Sequence, residues 1–140
     1  MTRKIDKTLY TAHTHTGGGR DGTGVSNDGA LNVQLSPPGS GRPGTNPEQL
    51  FAVGYSACFI GAMRRAGTPL GIRLPDDVSI DAEVSLGTAA DQGFVLAAKL
   101  TVRLPGLTPE QKWQLVEGAH QICPYSLLTR GNIEVTFDVA

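Results

Sequence analysis

The chain has only two cysteines in 140 residues, Cys58 and Cys123. Two cannot form the dense disulfide framework of a small secreted domain. A chain of this length does not need one, since it buries roughly two-thirds of its unfolded surface on folding. It also lacks an excess of charge of either sign. The net charge is −1, and Lys and Arg are scattered rather than gathered into a stripe interleaved with aromatics. Nucleic acid and anionic membrane surfaces are therefore not expected partners. No stretch approaches the ~20 apolar residues of a membrane span, and Met1–Lys7 has no apolar signal core. These absences lead us to expect a single domain over 1–140 in the cytoplasm. A stable structural disulfide is disfavoured there, so free, catalytic or redox-active thiols are the alternatives.

Other absences remove whole chemistries. No Gly-x-Ser-x-Gly elbow occurs, so a hydrolase nucleophile of that kind is excluded. Gly17, Gly19 and Gly22 match a dinucleotide fingerprint in spacing, but Val25–Gly29 follows them in place of a helix that could receive a pyrophosphate. A phosphate-loop lysine is also missing. His13 and His15 share one strand face, but a third metal ligand is not evident and His120 is far away in sequence. No internal repeat is visible.

The order of elements can be read from hydrophobic period and turn residues. Lys4–Thr16 alternates and reads as an exposed or edge strand, and Gly17–Gly24 must turn. Gly29–Leu35 alternates, with Leu31, Val33 and Leu35 on one face. Ser36–Gly44 is a Pro/Gly loop. Thr45 or Asn46 can cap a helix that has Pro47 at its first position and Glu48 in its first turn, and that runs to about Ala66 with Gly67 as its stop. Apolar residues occupy nearly its whole circumference, which marks a central buried helix, and Ala52, Gly54, Ala57, Gly61 and Ala62 permit close packing. Val78–Leu86 and Phe94–Leu104 read as a hairpin turning near Asp91–Gly93. Thr108 caps a second helix, with Trp113, Val116 and Ala119 inward, which ends near Cys123-Pro124. Asn132–Val139 is a last strand, and Asp81, Glu83 and Glu134 read as solvent-facing. The class is α+β, with helices against antiparallel sheet.

The cysteines carry the candidate chemistry. Cys58 lies in the apolar run Phe51-Ala-Val-Gly-Tyr-Ser-Ala-Cys-Phe-Ile-Gly-Ala-Met63. A thiol so placed is either a small core hydrophobe or a nucleophile awaiting a charge. The helix dipole cannot supply that charge, because Cys58 lies roughly 16 Å beyond the first turn. Arg64 and Arg65 suit the C-terminal end of the helix and solvent. Arg20, set in a glycine-rich turn, is either a solvated loop residue or the cation aimed at the sulfur. Glu48 is either a dipole match or the carboxylate that fixes Arg20. One straight helix separates Glu48 from Cys58 by about 15 Å. A single Arg20 head would then touch both only if the helix were broken between them or if they came from different subunits. Cys123, where a helix breaks at proline, can approach Cys58 from outside.

Four motifs in order resemble one known family: Gly18-Gly-Arg-Asp-Gly22, Thr45-Asn-Pro-Glu-Gln-Leu50, Gly54-Tyr-Ser-Ala-Cys-Phe59, and Cys123-Pro-Tyr-Ser126 with Thr129-Arg-Gly-Asn-Ile133. Together they are similar to the organic hydroperoxide resistance (Ohr) proteins of the Ohr/OsmC superfamily, over nearly the whole chain. The resemblance implies antiparallel sheets wrapped around a long buried central helix in an intertwined homodimer. It implies Cys58 as peroxidatic and Cys123 as resolving cysteine, Arg20 as the thiolate-stabilising cation and Glu48 as its holder. Phe51, Tyr55 and Phe59 would line the substrate pocket. Organic hydroperoxides are the implied substrates, and dihydrolipoamide or lipoylated proteins the implied reductant, with no metal or other cofactor. The sister osmotically inducible peroxidases and a non-catalytic thiol redox sensor are the competing readings. Two features depart from the family pattern: a short Ser36–Gly44 loop, and Leu127-Leu128 in place of a small polar pair.

Overall fold

The computed structural model describes residues 2–140. They form two compact units, the first up to Pro47 and the second Glu48–Ala140. The first unit is a three-stranded antiparallel sheet of β1 (Thr14–Gly17), β2 (Thr23–Ser26) and β3 (Asn32–Gln34), in the order β1-β2-β3. Its first connection is a 3-10 turn over Gly19–Asp21 in which Gly18 and Gly19 have φ of 76° and 61°, a region that disfavours side chains. Gly22 is required for another reason. A Cβ there would lie 1.7 Å from the Gly17 carbonyl oxygen.

The expected strand over Lys4–Thr16 is confined to its end. β1 pairs with β2 from Thr14↔Ser26 to Gly17↔Thr23. Beyond Ser26, β2 turns through Asp28 and Gly29, so the ladder ends and the preceding residues stay exposed. Leu31 is also exposed, whereas Leu35 is buried and bridges Thr45 across the Pro/Gly loop.

In the second unit α1 (Pro47–Gly67) lies with a sheet of β4 (Ser79–Ala89), β5 (Gly93–Arg103) and β6 (Glu134–Val139). β4 and β5 form the expected hairpin, paired in register from Ser79↔Arg103 to Ala89↔Gly93. β6 departs from the antiparallel expectation and runs parallel to β5, from Ala97↔Glu134 to Val102↔Val139. A parallel neighbour needs a long crossover. That crossover is α2 (Pro109–Ile122) followed by a short α3 (Pro124–Thr129), which the sequence reading treated only as a break at proline.

Tyr55, Phe59, Ala62 and Met63 of α1 are fully buried in one core with Leu100, Val102 and Leu115. The opposite side of α1 is open in this chain, with Val53 71% exposed. Gly67 does not stop the helix by adopting a left-handed turn. Its φ is −71°, and it is needed because a Cβ would meet the Ile72 carbonyl oxygen at 2.4 Å and Leu115 at 3.1 Å. Gly71, with φ 68°, takes the left-handed position after a 3-10 turn. On α2 the inward residues are Leu115, Val116 and Ala119, while Trp113 lies at the surface, 38% exposed.

Thr108 caps α2 as expected. Its hydroxyl accepts from the Gln111 amide at 3.2 Å, and the Gln111 side chain accepts from the Thr108 amide at 3.0 Å. Thr108→Ala removes half of this reciprocal pair. The expected loss is about 1 kcal/mol, read in calorimetry as a Tm lower by roughly 3 °C.

Candidate active site

α1 presents Cys58 one turn beyond Tyr55, on a half-buried stripe of the helix. Cys123 closes α2 and opens α3: its amide donates to the Ala119 carbonyl and its carbonyl accepts from Leu127. Proline at 124 forces this change of direction, because it cannot continue the hydrogen-bond ladder of α2. The result is a sulfur–sulfur distance of 3.6 Å between free thiols that lie 65 residues apart. Cys123 is sealed, whereas Cys58 is only half-buried.

Burial pushes the Cys58 thiol above its ordinary value, and the neighbouring Cys123 adds to the rise. Two groups oppose it: the backbone N–H of Tyr125 and the positive charge of Arg65. Arg65 stands two turns further along α1, so the arginine assigned to solvent also acts on the site. With these groups alone the balance still favours the protonated thiol.

The remaining site residues fall in different places. Arg20 lies in the first unit, on the 3-10 turn between β1 and β2. Glu48 lies in the first turn of α1, half-buried. α1 is unbroken between Glu48 and Cys58, which removes the possibility of a helix broken between them.

Phe51, Tyr55 and Phe59 are continuous with a run of rings. Phe51 packs on Tyr55 and on Tyr125, each with centroids 5.8 Å apart. Phe59 stacks on Phe137 at 4.8 Å. Gly54 makes room for Tyr125, since a Cβ there would lie 3.0 Å from its hydroxyl. Of the three expected pocket residues, Phe51 is half-buried, while Tyr55 and Phe59 expose nothing and back the site from the core. An open groove of about 790 Å³ lies at the C-terminal end of α1, lined by Arg65, Ala66, Pro69 and Leu70 and by α2 residues that include Gln114, Glu117 and Ile122.

A polar cluster sits inside this aromatic wall. The Ser126 hydroxyl lies 2.8 Å from both the Tyr55 hydroxyl and the His120 Nδ1. Thr129 donates to the Ser126 carbonyl at 3.2 Å and lies 3.4 Å from Tyr55. Arg130 donates to the His120 carbonyl. The sequence reading considered His120 only as a metal ligand and passed over Ser126 and Thr129. The available signal was a histidine three residues before Cys123 and two hydroxyls three and six residues after it.

Burial and the charge of Arg130 hold His120 below the usual histidine pKa. An unfolded His120 therefore binds its proton at a higher pH than the folded one. Stability is fully present above the unfolded value of ~6.5 and is lost as pH falls through the depressed folded value. The expected result is a Tm that declines from neutral pH to about pH 5, with a shallower decline in His120→Asn, measured by calorimetry across that range.

Among the described residues no three His, Cys, Asp or Glu side chains gather to hold a metal ion, and no helix is long and apolar enough to cross a membrane. The family model described as OsmC-like protein matches residues 38–138. The chain is 49% identical over 139 residues to the organic hydroperoxide resistance protein of Xanthomonas axonopodis pv. citri (strain 306), covering 96% of this chain and 97% of that one. It superposes on the crystal structure of the organic hydroperoxide resistance protein OhrB of Bacillus subtilis with a TM-score of 0.88 at 40% identity, covering 95% of this chain and all of the other. It likewise matches the structure of an organic hydroperoxide resistance protein from Legionella pneumophila, with a TM-score of 0.88 at 42% identity over 96% of this chain and 99% of that one.

Proposed function

The chain belongs to the Ohr/OsmC family, among its organic hydroperoxide resistance proteins, and from that premise we propose that it is a thiol-dependent peroxidase that reduces organic hydroperoxides to alcohols. The observation that carries the mechanism is the 3.6 Å approach of the Cys58 and Cys123 sulfurs in an apolar setting. Their unequal exposure supports the order of events. A peroxide from solvent reaches half-buried Cys58 before sealed Cys123.

The Cys58 thiolate attacks the outer peroxide oxygen. The O–O bond breaks, the alkoxide takes a proton and leaves as alcohol, and the sulfur becomes a sulfenic acid. The Cys123 sulfur then attacks the Cys58 sulfur and expels water, forming the Cys58–Cys123 disulfide. A dithiol opens this disulfide by two exchange steps and returns both thiols. Dihydrolipoamide, free or protein-bound, suits this role because its two thiols cyclise on oxidation. A disulfide needs sulfurs about 2.05 Å apart, so closure draws the pair together by about 1.5 Å.

The Cys58 thiol requires a cation to be ionised at neutral pH, and Arg20 is that cation, held in place by Glu48. An arginine keeps its charge when desolvated, and it also stabilises the charge growing on the leaving oxygen. With α1 unbroken, Arg20 and Glu48 of one subunit would serve Cys58 of another, and the working form is a homodimer of single-domain subunits in the cytoplasm. The half-buried ring of Phe51, backed by the buried rings of Tyr55 and Phe59, favours alkyl and fatty-acid hydroperoxides over hydrogen peroxide, which has no apolar part to bury.

Intact-protein mass spectrometry tests the reading. Cys123→Ser treated with cumene hydroperoxide is expected to gain one oxygen on Cys58, trappable by dimedone, and to form no internal disulfide. A variant that stays unmodified at Cys58 overturns the assignment.

A further inference from the structure

The peroxidase reading leaves one buried cluster without a task. Ser126 sits on α3 with no exposed surface, and its hydroxyl touches α1 through Tyr55 and α2 through His120. α3 has six residues, too few to hold their own geometry by helical hydrogen bonds. Yet its N-terminal end carries both Cys123, whose sulfur lies 3.6 Å from that of Cys58, and the Tyr125 amide, which lowers the Cys58 thiol pKa. Something outside α3 has to fix that turn, and Ser126 is the side chain that ties it to both neighbouring helices.

We propose that Ser126 is a positioning residue of this site. Bonded to Tyr55 and His120, it sets the first turn of α3 so that the Tyr125 amide faces the Cys58 sulfur and Cys123 stands ready to close on it. The inference rests on the peroxidase reading for its consequence but on the geometry for its cause.

Proton accounting gives the cluster a direction. Thr129 uses its proton on the Ser126 carbonyl, which leaves its oxygen free only to accept. Ser126 has one proton and two partners at 2.8 Å, so it donates to one and accepts from the other. If Tyr55 donates to Ser126 and Ser126 donates to His120 Nδ1, each of these bonds is short. The reverse direction sends the Tyr55 proton to Thr129 across 3.4 Å, a poor bond. The short arrangement assigns His120 as the neutral tautomer carrying its proton on Nε2. Removing the Ser126 hydroxyl leaves the buried Tyr55 hydroxyl only the long contact to Thr129, takes away the partner of half-buried His120 Nδ1, and cuts the polar tie of α3 to both helices at once.

The test separates positioning from mere stability. Ser126→Ala, His120→Leu, His120→Asn and Tyr55→Phe are prepared in the full chain and compared by Tm. Titration of Cys58, followed by ultraviolet thiolate absorbance in a Cys123→Ser background, reports the amide contact. Stopped-flow oxidation with cumene hydroperoxide separates sulfenic acid formation from disulfide closure. Ser126→Ala and His120→Leu are expected to raise the Cys58 pKa and to slow closure by about tenfold, the scale of one lost hydrogen bond. His120→Asn, whose amide oxygen can stand where Nδ1 accepts, restores most of the closure rate. A folded Ser126→Ala of lower Tm that titrates and closes like the unsubstituted chain overturns the proposal. If Ser126→Ala does not fold, Tyr55→Phe keeps the ring packing and decides by the same two readouts. Diamide, which oxidises dithiols without peroxide chemistry, provides a second route to the disulfide. Should the unsubstituted chain ignore hydroperoxides, the peroxidase reading fails. The diamide closure rate and the Cys58 titration still decide the role of Ser126.

Discussion

Cys58→Ser is expected to reduce hydroperoxide turnover to the uncatalysed background, a loss of at least about 10³-fold, the scale on which removal of a covalent nucleophile acts. The cause is electronic rather than steric. A serine alcohol is not ionised near neutral pH even beside a cation, and its oxygen is a far weaker nucleophile toward peroxide than a thiolate. The substitution is nearly isosteric in a half-buried position, so the variant should fold with a Tm close to that of the parent. Cys123→Ser provides the contrast: Cys58 is oxidised at a near-parental rate but forms no internal disulfide, so further turnover depends on the dithiol reaching the Cys58 sulfenic acid directly and should be slower than in the parent. Peroxide consumption with excess dihydrolipoamide distinguishes the two patterns. A Cys58→Ser protein that still turns over would transfer the chemistry elsewhere and defeat the mechanism.

The second large effect is expected from Arg20→Ala. Burial and the adjacent Cys123 already push the Cys58 thiol upward, against only the Tyr125 amide and Arg65. Even an unperturbed thiol at ~8.5 is only a few per cent ionised at pH 7, and each further unit upward removes another tenfold of thiolate. Loss of the proposed cation should therefore lower kcat/KM for cumene hydroperoxide at pH 7 by roughly 10²-fold or more, a scale set by loss of one charged stabiliser of the leaving oxygen. The pH profile gives the sign. With the thiol raised, the rate of Arg20→Ala climbs steadily as pH rises toward the shifted pKa, while the parent is flat over the same range. Arg20→Lys should recover part of the loss, because an ammonium keeps the charge but not the planar fork. If Arg20→Ala keeps full activity at pH 7, Arg20 is a turn residue, and Arg65→Ala then becomes the informative variant.

The two cysteines, the helix that carries Cys58 and the proline that turns the chain at Cys123 were legible in the sequence. Each depends on a local signal: apolar periodicity, a first-position proline, an interrupted helix. The hairpin of β4 and β5 was legible for the same reason, as alternation on either side of a Gly-containing turn. Three features were not. The parallel direction of β6 is decided by how the crossover packs, which local pattern does not encode. The role of Gly67 comes from the nearness of Ile72 and Leu115 rather than from its own dihedral angles. The cluster of Tyr55, Ser126, Thr129 and His120 joins residues 71 and 74 positions apart with others three and six apart, so no spacing rule would gather it. The small residues of α1 were read as permitting close packing, and Gly54 does so toward Tyr125, a partner the sequence did not name.

The crossover has a consequence for the oxidised molecule. Cys58 and Cys123 stand on separate elements 65 residues apart in sequence. A covalent link between them would staple α1 to the start of α3 and restrict the unfolded chain, a gain of roughly 4 kcal/mol for a loop of that size. Each turn of the cycle would therefore also tighten and release the fold, and the oxidised protein should melt at a higher temperature than the reduced one.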